Sequence, residues 1–185
     1  DDEYQSYNGY FCQKWVNEQS KAKLNSSGNY AVDTYMYYVY PYMRVAELYL
    51  SYAEADFEYD GTLSDYGYEC LNKIRSRCGL PTFQESWSKA GGIPTGDKLR
   101  DIIRRERSIE FMLEGRRFHD IRRWKIGAET TKVYGLTITP QNDGSFSYMR
   151  SVIQQRGWED RMNFYPIADA ELFKNHNLVQ NDGWK

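Results

Sequence analysis

The residues that could most readily take part in binding or catalysis lie in one stretch, Arg104 to Trp124, which reads RRERSIEFMLEGRRFHDIRRW. It holds seven arginines, four acids and seven large apolar residues. A segment of this kind could bind phosphate groups, hold a pair of catalytic carboxylates, or form a packed helix whose charges neutralise one another. The function predicted for the chain depends on which of these it is.

Helical spacing favours the packed helix. Steps of three and four residues from Leu99 place Glu106 and Glu110 on the same face as the isoleucines of this segment. A carboxylate facing a core is strongly unfavourable unless it is paired, and arginine is its natural partner because its fork donates two parallel N–H bonds. On a helix, an arginine three residues before or after a glutamate can reach its carboxylate. The sequence therefore predicts structural ion pairs among Glu106, Glu110, Glu114, Arg107 and Arg117.

The same charges disfavour the two other interpretations. Residues 97–125 carry ten Lys/Arg against six Asp/Glu, and the whole chain has a net charge of −2 and a pI of about 5.8, so no nucleic-acid partner is expected. Salt-bridged glutamates have lowered pKa values and make poor general acids. His119 and Asp120 are adjacent, so on a helix they point about 100° apart, and no nucleophile motif accompanies them. We expect no catalytic residue.

The cysteines do not indicate a metal site or a cofactor. Cys70 and Cys78 lie in one predicted helix, roughly 12 Å apart, which is too far for a disulfide. Cys12 could pair with one of them, leaving an odd thiol. Because there is no CxxC and no Cys/His cluster with zinc spacing, we expect neither a metal nor a cofactor.

The start DDEYQ predicts no signal peptide, and no apolar run is long enough to span a membrane.

The surrounding pattern predicts a mostly α fold. Helices are expected from Pro41 to Gly61, from Ser64 to Cys78, from Asp97 to Glu114, from Arg116 to Lys125 and from Asp169 to Lys174, with a loop at 80–96. Residues 126–160 are expected to form a loop with one or two short strands. The apolar faces predicted for the first two helices comprise Tyr42, Val45, Ala46, Tyr49, Tyr52, Ala53 and Asp56, and then Gly67, Cys70, Leu71, Ile74 and Cys78.

Four segments in a fixed order carry a family resemblance: RVAELYLSYAEADFEYDG, LNKIRSRCGLP, LRDIIRRERSIEFMLEGRRFHDIRRW and FYPIADAELFKNHNLVQNDGW. Together they cover roughly residues 40–126 and 163–184, and they closely resemble the C-terminal part of SusD/RagB-like proteins. These are nutrient-binding lipoproteins of Bacteroidetes outer membranes. Two turn positions depart from the family pattern, where Ala168 and Asp182 replace prolines.

The resemblance implies tetratricopeptide-like α-α helix pairs with long loops and a few short strands. It implies a single domain at residues 1–185 that forms the C-terminal portion of a longer protein. Within it we expect an extended region (1–40), a helical scaffold (41–126), a variable loop region (127–162) and a terminal segment (163–185). The family is not catalytic. It captures glycan or peptide nutrient at the cell surface, held to the outer membrane by a lipid anchor, and passes it to a SusC-like TonB-dependent transporter.

Loop aromatics are the candidate ligand contacts, because a sugar ring stacks its apolar face on an aromatic ring while nearby polar groups bond its hydroxyls. We predict that Trp87 or Trp158 is exposed in a concavity, whereas Trp124 and Trp184 belong to the core. The alternative function is a helical protein–protein interaction module without a small ligand. A glycoside hydrolase would need two carboxylates facing a cleft, and we expect none. The candidate ligand-binding residues are Tyr7, Tyr10, Trp87, Tyr134, Tyr148 and Trp158.

Overall fold

The computed structural model describes residues 14, 17, 19–24, 27, 30–34, 36, 37 and 39–184. It is mostly helical in these ranges, as predicted. The backbone clusters into two compact units. We call residues 37–117 the helical unit, and residues 118–184 with the described residues before 37 the hairpin unit. The elements are β1 (Lys21–Leu24), β2 (Tyr30–Thr34), α1 (Val45–Asp60), α2 (Asp65–Arg77), α3 (Phe83–Lys89), α4 (Gly96–Glu110), α5 (Arg116–Arg123), β3 (Lys132–Pro140), β4 (Phe146–Gln155) and α6 (Asp169–Lys174).

Helices α1 and α2 pack against each other around an apolar core. Gly61 ends α1 in the left-handed conformation, φ 72°, and its N–H donates to the Phe57 carbonyl. Ser64 then caps α2 by accepting a bond from the Gly67 N–H. The buried apolar residues of the helical unit are Ala46, Leu50, Ala53, Phe57, Leu63, Cys70, Leu71, Ile74, Phe83, Leu99, Ile103 and Phe111.

The start and the buried face of α1 differ from the prediction. The helix begins at Val45 rather than Pro41, and Tyr42 and Val45 are 93% and 61% exposed. The buried stripe runs through Leu50 and Phe57, which sequence spacing had not selected. These two side chains bury a large apolar surface without carrying a hydroxyl inside, whereas Tyr52 is 42% exposed. Similarly, Cys78 is exposed because α2 has already ended at Arg77.

Helix α3 lies where the sequence predicted a loop. Its first turn carries a capping box: the Thr82 hydroxyl accepts from the Glu85 N–H, and the Glu85 carboxylate accepts from the Thr82 N–H. Phe83, directly after the cap, is fully buried. The T-x-x-E spacing was therefore a helix signal that the glycines and prolines of residues 80–96 obscured.

Helix α4 ends four residues earlier than predicted. It closes at Glu110, and Leu113 then adopts a left-handed φ of 65°, so the chain turns before Gly115. As a result Ile109, predicted with the other isoleucines on the buried face, is more than half exposed, and so is Leu113. The buried positions of α4 are Leu99, Ile103, Arg107 and Glu110. Two of the four are charged, which requires compensating partners.

The hairpin unit contains two antiparallel hairpins, β1–β2 and β3–β4. Strands β3 and β4 have nine and ten residues and are longer than the short strands predicted for this region. A register shift after Val133 marks a bulge. The terminal segment folds back on itself, since Gln180 hydrogen-bonds both the N–H and the C=O of Ile167. Trp124 is buried as expected, and Trp184 is half-buried with its indole N–H donating to the Arg161 carbonyl.

Candidate functional site

The most heavily charged part of the helical unit is a cluster around Arg44, which directly precedes α1. Its Nε and Nη2 atoms donate to both oxygens of Glu114, at 3.0 and 2.5 Å, in a two-pronged arrangement. Its Nη1 donates to Glu110 Oε1 at 2.6 Å. Arg77, at the end of α2, donates to the second oxygen of Glu110 at 2.6 Å. The two buried carboxylates therefore join α1 and α2 to the end of α4.

The pKa of Arg44 responds to this arrangement. Hydrogen bonding to Glu114, together with the bond to Glu110 and the charges of both carboxylates, raises the pKa of the guanidinium well above its ordinary value despite partial burial. The cation is therefore permanent at every pH at which the protein is folded. The hydrogen bonds of this cation hold Glu110 and Glu114 against the start of α1, which gives the cluster a structural role.

Arg107 and Arg117 make other contacts in addition to any along their own helix. Arg107 is buried, donates to Ser51 Oγ at 3.3 Å and has Nη2 4.0 Å from Glu47. Arg117 donates to Ser108 Oγ at 2.7 Å. Sequence reasoning looked for the partners of the glutamates along one helix and missed Arg44, Arg75 and Arg77. The signal was available, because these arginines stand in the same quoted segments, RVAEL and KIRSRCG.

Glu106 belongs to a second charged cluster. Arg75 donates to Glu106 Oε1 at 2.5 Å through Nη1, to Ser86 Oγ at 2.7 Å through Nη2, and to the Pro81 carbonyl at 2.9 Å through Nε. Ser86 in turn donates to the Thr82 carbonyl. One guanidinium thus ties α2, the turn after it, α3 and α4 into a single rigid frame.

This frame forms the wall of a concavity of about 290 Å³ beside Trp87. The half-buried indole packs on the core, with its ring centroid 6.2 Å from that of Phe83. Its Nε1–H has no acceptor among the residues the structure describes. Apolar atoms come from Ala90, Ile102 and Ile109, and polar groups come from Arg75, Ser86, Arg105 and Glu106. An aromatic ring, a free N–H donor and several fixed polar groups are the components of a saccharide site.

Trp158, the other tryptophan candidate, packs inside the hairpin unit. It is half-buried and lies so close to Gly127 that a Cβ on that glycine would be 1.9 Å from Trp158 Cε2. The Arg122 guanidinium lies 5.4 Å from its ring, and also 3.5 Å from that of Phe118 and 5.5 Å from that of Tyr165. These contacts give Trp158 a packing role.

The tyrosine candidates fall into two groups. Tyr134 and Tyr148 share one face of the β3–β4 hairpin, because Tyr148 pairs with Ile138, four residues beyond Tyr134. Arg150 covers the ring of Tyr134 at 3.8 Å from its centroid, whereas Tyr148 is 65% exposed. Tyr7, Tyr10 and Cys12 lie outside the described residues.

A larger concavity of about 530 Å³ occurs in the hairpin unit, where its wall includes Lys125, Asp160, Asn163, Phe164 and Asp182. No candidate aromatic residue lines it. The nearby indole of Trp184 already donates its N–H to backbone carbonyls. We therefore favour the smaller concavity, which Trp87 and Ser86 line together with apolar residues such as Ile102.

The described part of the chain contains neither a metal-binding cluster nor a membrane-spanning helix. His, Cys, Asp and Glu side chains form no group there that could hold a metal ion. Among the described helices, none is long and apolar enough to cross a lipid bilayer.

Comparison with known proteins places these observations in a family. The SusD family model matches residues 1–184. "SusD-like protein P2" of Formosa agariphila is 31% identical over 140 residues, which are 76% of this chain and 25% of that protein. "Starch-binding protein SusD" of Bacteroides thetaiotaomicron is 29% identical over 172 residues, which are 93% of this chain and 25% of that protein.

A solved structure agrees with this match. The crystal structure of a SusD-like protein from Bacteroides fragilis aligns with a TM-score of 0.60 at 35% identity, covering 77% of this chain and 25% of that one. The chain thus spans about a quarter of the length of the relatives it matches.

Proposed function

Because this chain belongs to the SusD family, we propose that it is the C-terminal portion of a longer protein that binds a glycan nutrient without transforming it. The named starch-binding relative supports a saccharide as the ligand class. Cell-surface attachment through a lipid anchor and transfer to a SusC-like TonB-dependent transporter are part of the same proposal. A peptide nutrient is the alternative ligand class within this proposal, and peptides should be included in the binding test.

The observation that carries the proposal is the concavity beside Trp87. A sugar ring presents one apolar face of C–H groups, which can lie on the indole while its hydroxyls reach Ser86 and the indole N–H. Arg75 fixes the wall before any ligand binds, because each of its three nitrogens, Nε, Nη1 and Nη2, already donates a hydrogen bond within the wall. A preformed wall lowers the entropic cost of binding.

The chemistry of the concavity favours binding over hydrolysis. Its lining includes one carboxylate, Glu106, which accepts a 2.5 Å hydrogen bond from Arg75. Glycoside hydrolysis requires two carboxylates about 5–10 Å apart, one of them able to donate a proton. The concavity offers one carboxylate where the reaction needs two, and the hydrogen bond to Arg75 already occupies one of its oxygens. We propose that the protein does not cleave its ligand, which incubation of purified protein with the glycan would test through release of reducing ends.

The alternative is a helical interaction module that contacts a partner protein and no small ligand. Exposed apolar residues on α1, among them Val45 and Leu48, are consistent with a covered face. A partner protein that binds a flat apolar face would not use the hydrogen-bonded wall at Arg75 or the indole of Trp87. We therefore favour ligand binding.

Affinity electrophoresis of the full-length protein through glycan-containing gels tests the proposal, with calorimetry on positive ligands. We expect Trp87→Ala to weaken binding about tenfold, from the loss of ring stacking. The matched control is Tyr59→Ala, which removes an exposed aromatic of the same unit outside the concavity. Since Trp87 also contacts the core, Trp87→Phe and a circular-dichroism check separate lost stacking from lost folding. Unchanged binding in a folded Trp87→Ala variant would falsify the site.

A further inference from the structure

Two cationic side chains stand at the Trp87 concavity. Arg105 lines it, and the Lys98 Nζ lies 5.8 Å from the centroid of the Trp87 ring. Both residues are exposed on α4 and are seven positions apart, so they lie about two turns apart on nearly the same side of the helix. The indole therefore has a positive charge near its face and another in the wall beside it.

The other described arginines of α4 have carboxylate partners. Arg100 Nε lies 2.9 Å from Glu58, Arg104 Nη2 lies 3.5 Å from the same carboxylate, and Arg107 Nη2 lies 4.0 Å from Glu47. These pairs all connect α4 to α1. A structural arginine of α4 is therefore one whose guanidinium lies within 4.0 Å of a carboxylate on α1.

Lys98 and Arg105 do not follow that pattern. Among the residues the structure describes, no carboxylate lies within 4.0 Å of either cationic group. Asp101 stands between them in sequence at helical distances of three and four, and it makes an ion pair with neither. Glu106, the carboxylate of the concavity, is already bonded to Arg75.

The concavity thus has excess positive charge that no carboxylate of the described residues neutralises within 4.0 Å. All three nitrogens of Arg75 are already hydrogen-bonded within the wall, whereas the guanidinium of Arg105 and the ammonium of Lys98 can contact a ligand. A guanidinium binds a carboxylate or a sulfate ester through two parallel hydrogen bonds, and a neighbouring ammonium strengthens the attraction. Ile102 and Ile109 supply the apolar surface that the carbon skeleton of the ligand needs.

We propose that the Trp87 concavity selects an acidic saccharide, with one sugar ring on the indole and its anionic group held by Arg105 and Lys98. This inference rests on the proposed glycan-binding function and names the ligand class of that same site. The anionic group is a sugar carboxylate or a sulfate ester. Both present oxygens in a geometry that suits a guanidinium.

The test measures the binding of three oligosaccharides of equal length to the full-length protein by calorimetry. They are an oligogalacturonate, its carboxyl-reduced neutral counterpart, and a sulfate ester of that neutral counterpart. We expect the best anionic ligand to bind at least about tenfold more tightly than the neutral one, and we expect this preference to shrink as salt is raised. Which anionic ligand binds better distinguishes a carboxylate from a sulfate.

Variants locate the preference. Arg105→Gln and Lys98→Gln should each reduce the binding of the anionic ligand about fivefold or more and reduce the binding of the neutral ligand by a clearly smaller factor, so that the anionic preference shrinks. Lys174→Gln, which removes the same charge from an exposed lysine of α6, should change neither. Both α4 residues are exposed, so neither variant should impair folding.

The outcomes separate this inference from the function it rests on. Equal binding of neutral and anionic ligands, with both lost in Trp87→Ala, keeps the proposed function and overturns the acidic selectivity. An anionic preference that survives both α4 variants also overturns it. If no saccharide binds at all, the proposed function itself fails.

Discussion

Arg44 and Glu110 are 66 residues apart in the sequence, yet Arg44 Nη1 lies 2.6 Å from Glu110 Oε1. The glutamate side chain is 7% exposed, so its charge depends on this partner and on Arg77. A desolvated carboxylate that is well bonded adds little net stability, but one that loses its partner is strongly unfavourable. The stability of the packing between the start of α1 and the end of α4 should therefore depend on this ion pair.

Arg44→Leu should lower the free energy of unfolding by about 3–5 kcal/mol, because it leaves Glu110 and Glu114 buried without their shared guanidinium. Urea denaturation followed by circular dichroism measures the change. The control is Arg77→Ala, whose side chain is 58% exposed and should cost about 1 kcal/mol or less. Equal losses for the two variants would show that Arg44 is not the main partner of the buried acids.

Gly127→Ala should destabilise the hairpin unit by about 1–3 kcal/mol, since the added methyl group would overlap the Trp158 indole and force it to move. A changed tryptophan emission spectrum should accompany the loss. Gly157→Ala is the matched control, because no heavy atom lies within 4 Å of its added Cβ and its backbone needs no left-handed φ. An unaltered spectrum for Gly127→Ala would contradict the packing role assigned to Trp158.

The two described cysteines should differ in reactivity. Burial raises the pKa of the Cys70 thiol, against a smaller opposing effect of its hydrogen bond with Tyr66, so little reactive thiolate forms at mildly alkaline pH. Cys78 is exposed at the end of α2. We expect iodoacetamide to modify Cys78 in the native protein and to reach Cys70 after denaturant is added, as peptide mass spectrometry can follow. Native labelling of Cys70 at the rate of Cys78 would show that α2 opens readily.

The capping box of α3 should give a pH-dependent contribution to stability. Hydrogen bonds from the Thr82 hydroxyl and N–H lower the pKa of Glu85 in the folded state. A group with a lowered folded pKa contributes stability above its unfolded pKa and loses it as the pH falls through the folded value. Glu85→Ala should therefore be less stable than the wild type at neutral pH, and the difference should vanish in acid.

Denaturation curves at a series of pH values measure that difference. Glu69→Ala is the control, because Glu69 is an exposed glutamate whose ion pair with Lys73 is a loose 3.5 Å contact. A Glu85→Ala difference that stayed constant from neutral to acid pH would show that the carboxylate does not act through its charge.

Much of the helical scaffold was predictable because its signals are local. The left-handed stop at Gly61, the Ser64 cap and the helix at Asp169–Lys174 follow from residues within one turn of each other. The four ordered motifs are sufficient to indicate the family, because their residues are contiguous in the sequence. Helix α3 was missed although its capping box was local, because loop-forming residues on both sides outweighed it.

The sequence by itself determined that the chain is mostly helical, that it belongs to the SusD family, and that its buried acids need arginine partners. Only the tertiary structure decided which arginines these are, since Arg44, just before α1, and Arg75, in α2, are both distant in sequence from the acids they bind. It also decided that Trp87 stands beside Arg105 and a bonded Arg75 while Trp158 packs on a glycine. The reason is physical: helical periodicity fixes the face on which a residue lies, whereas partners on other elements depend on how the helices pack.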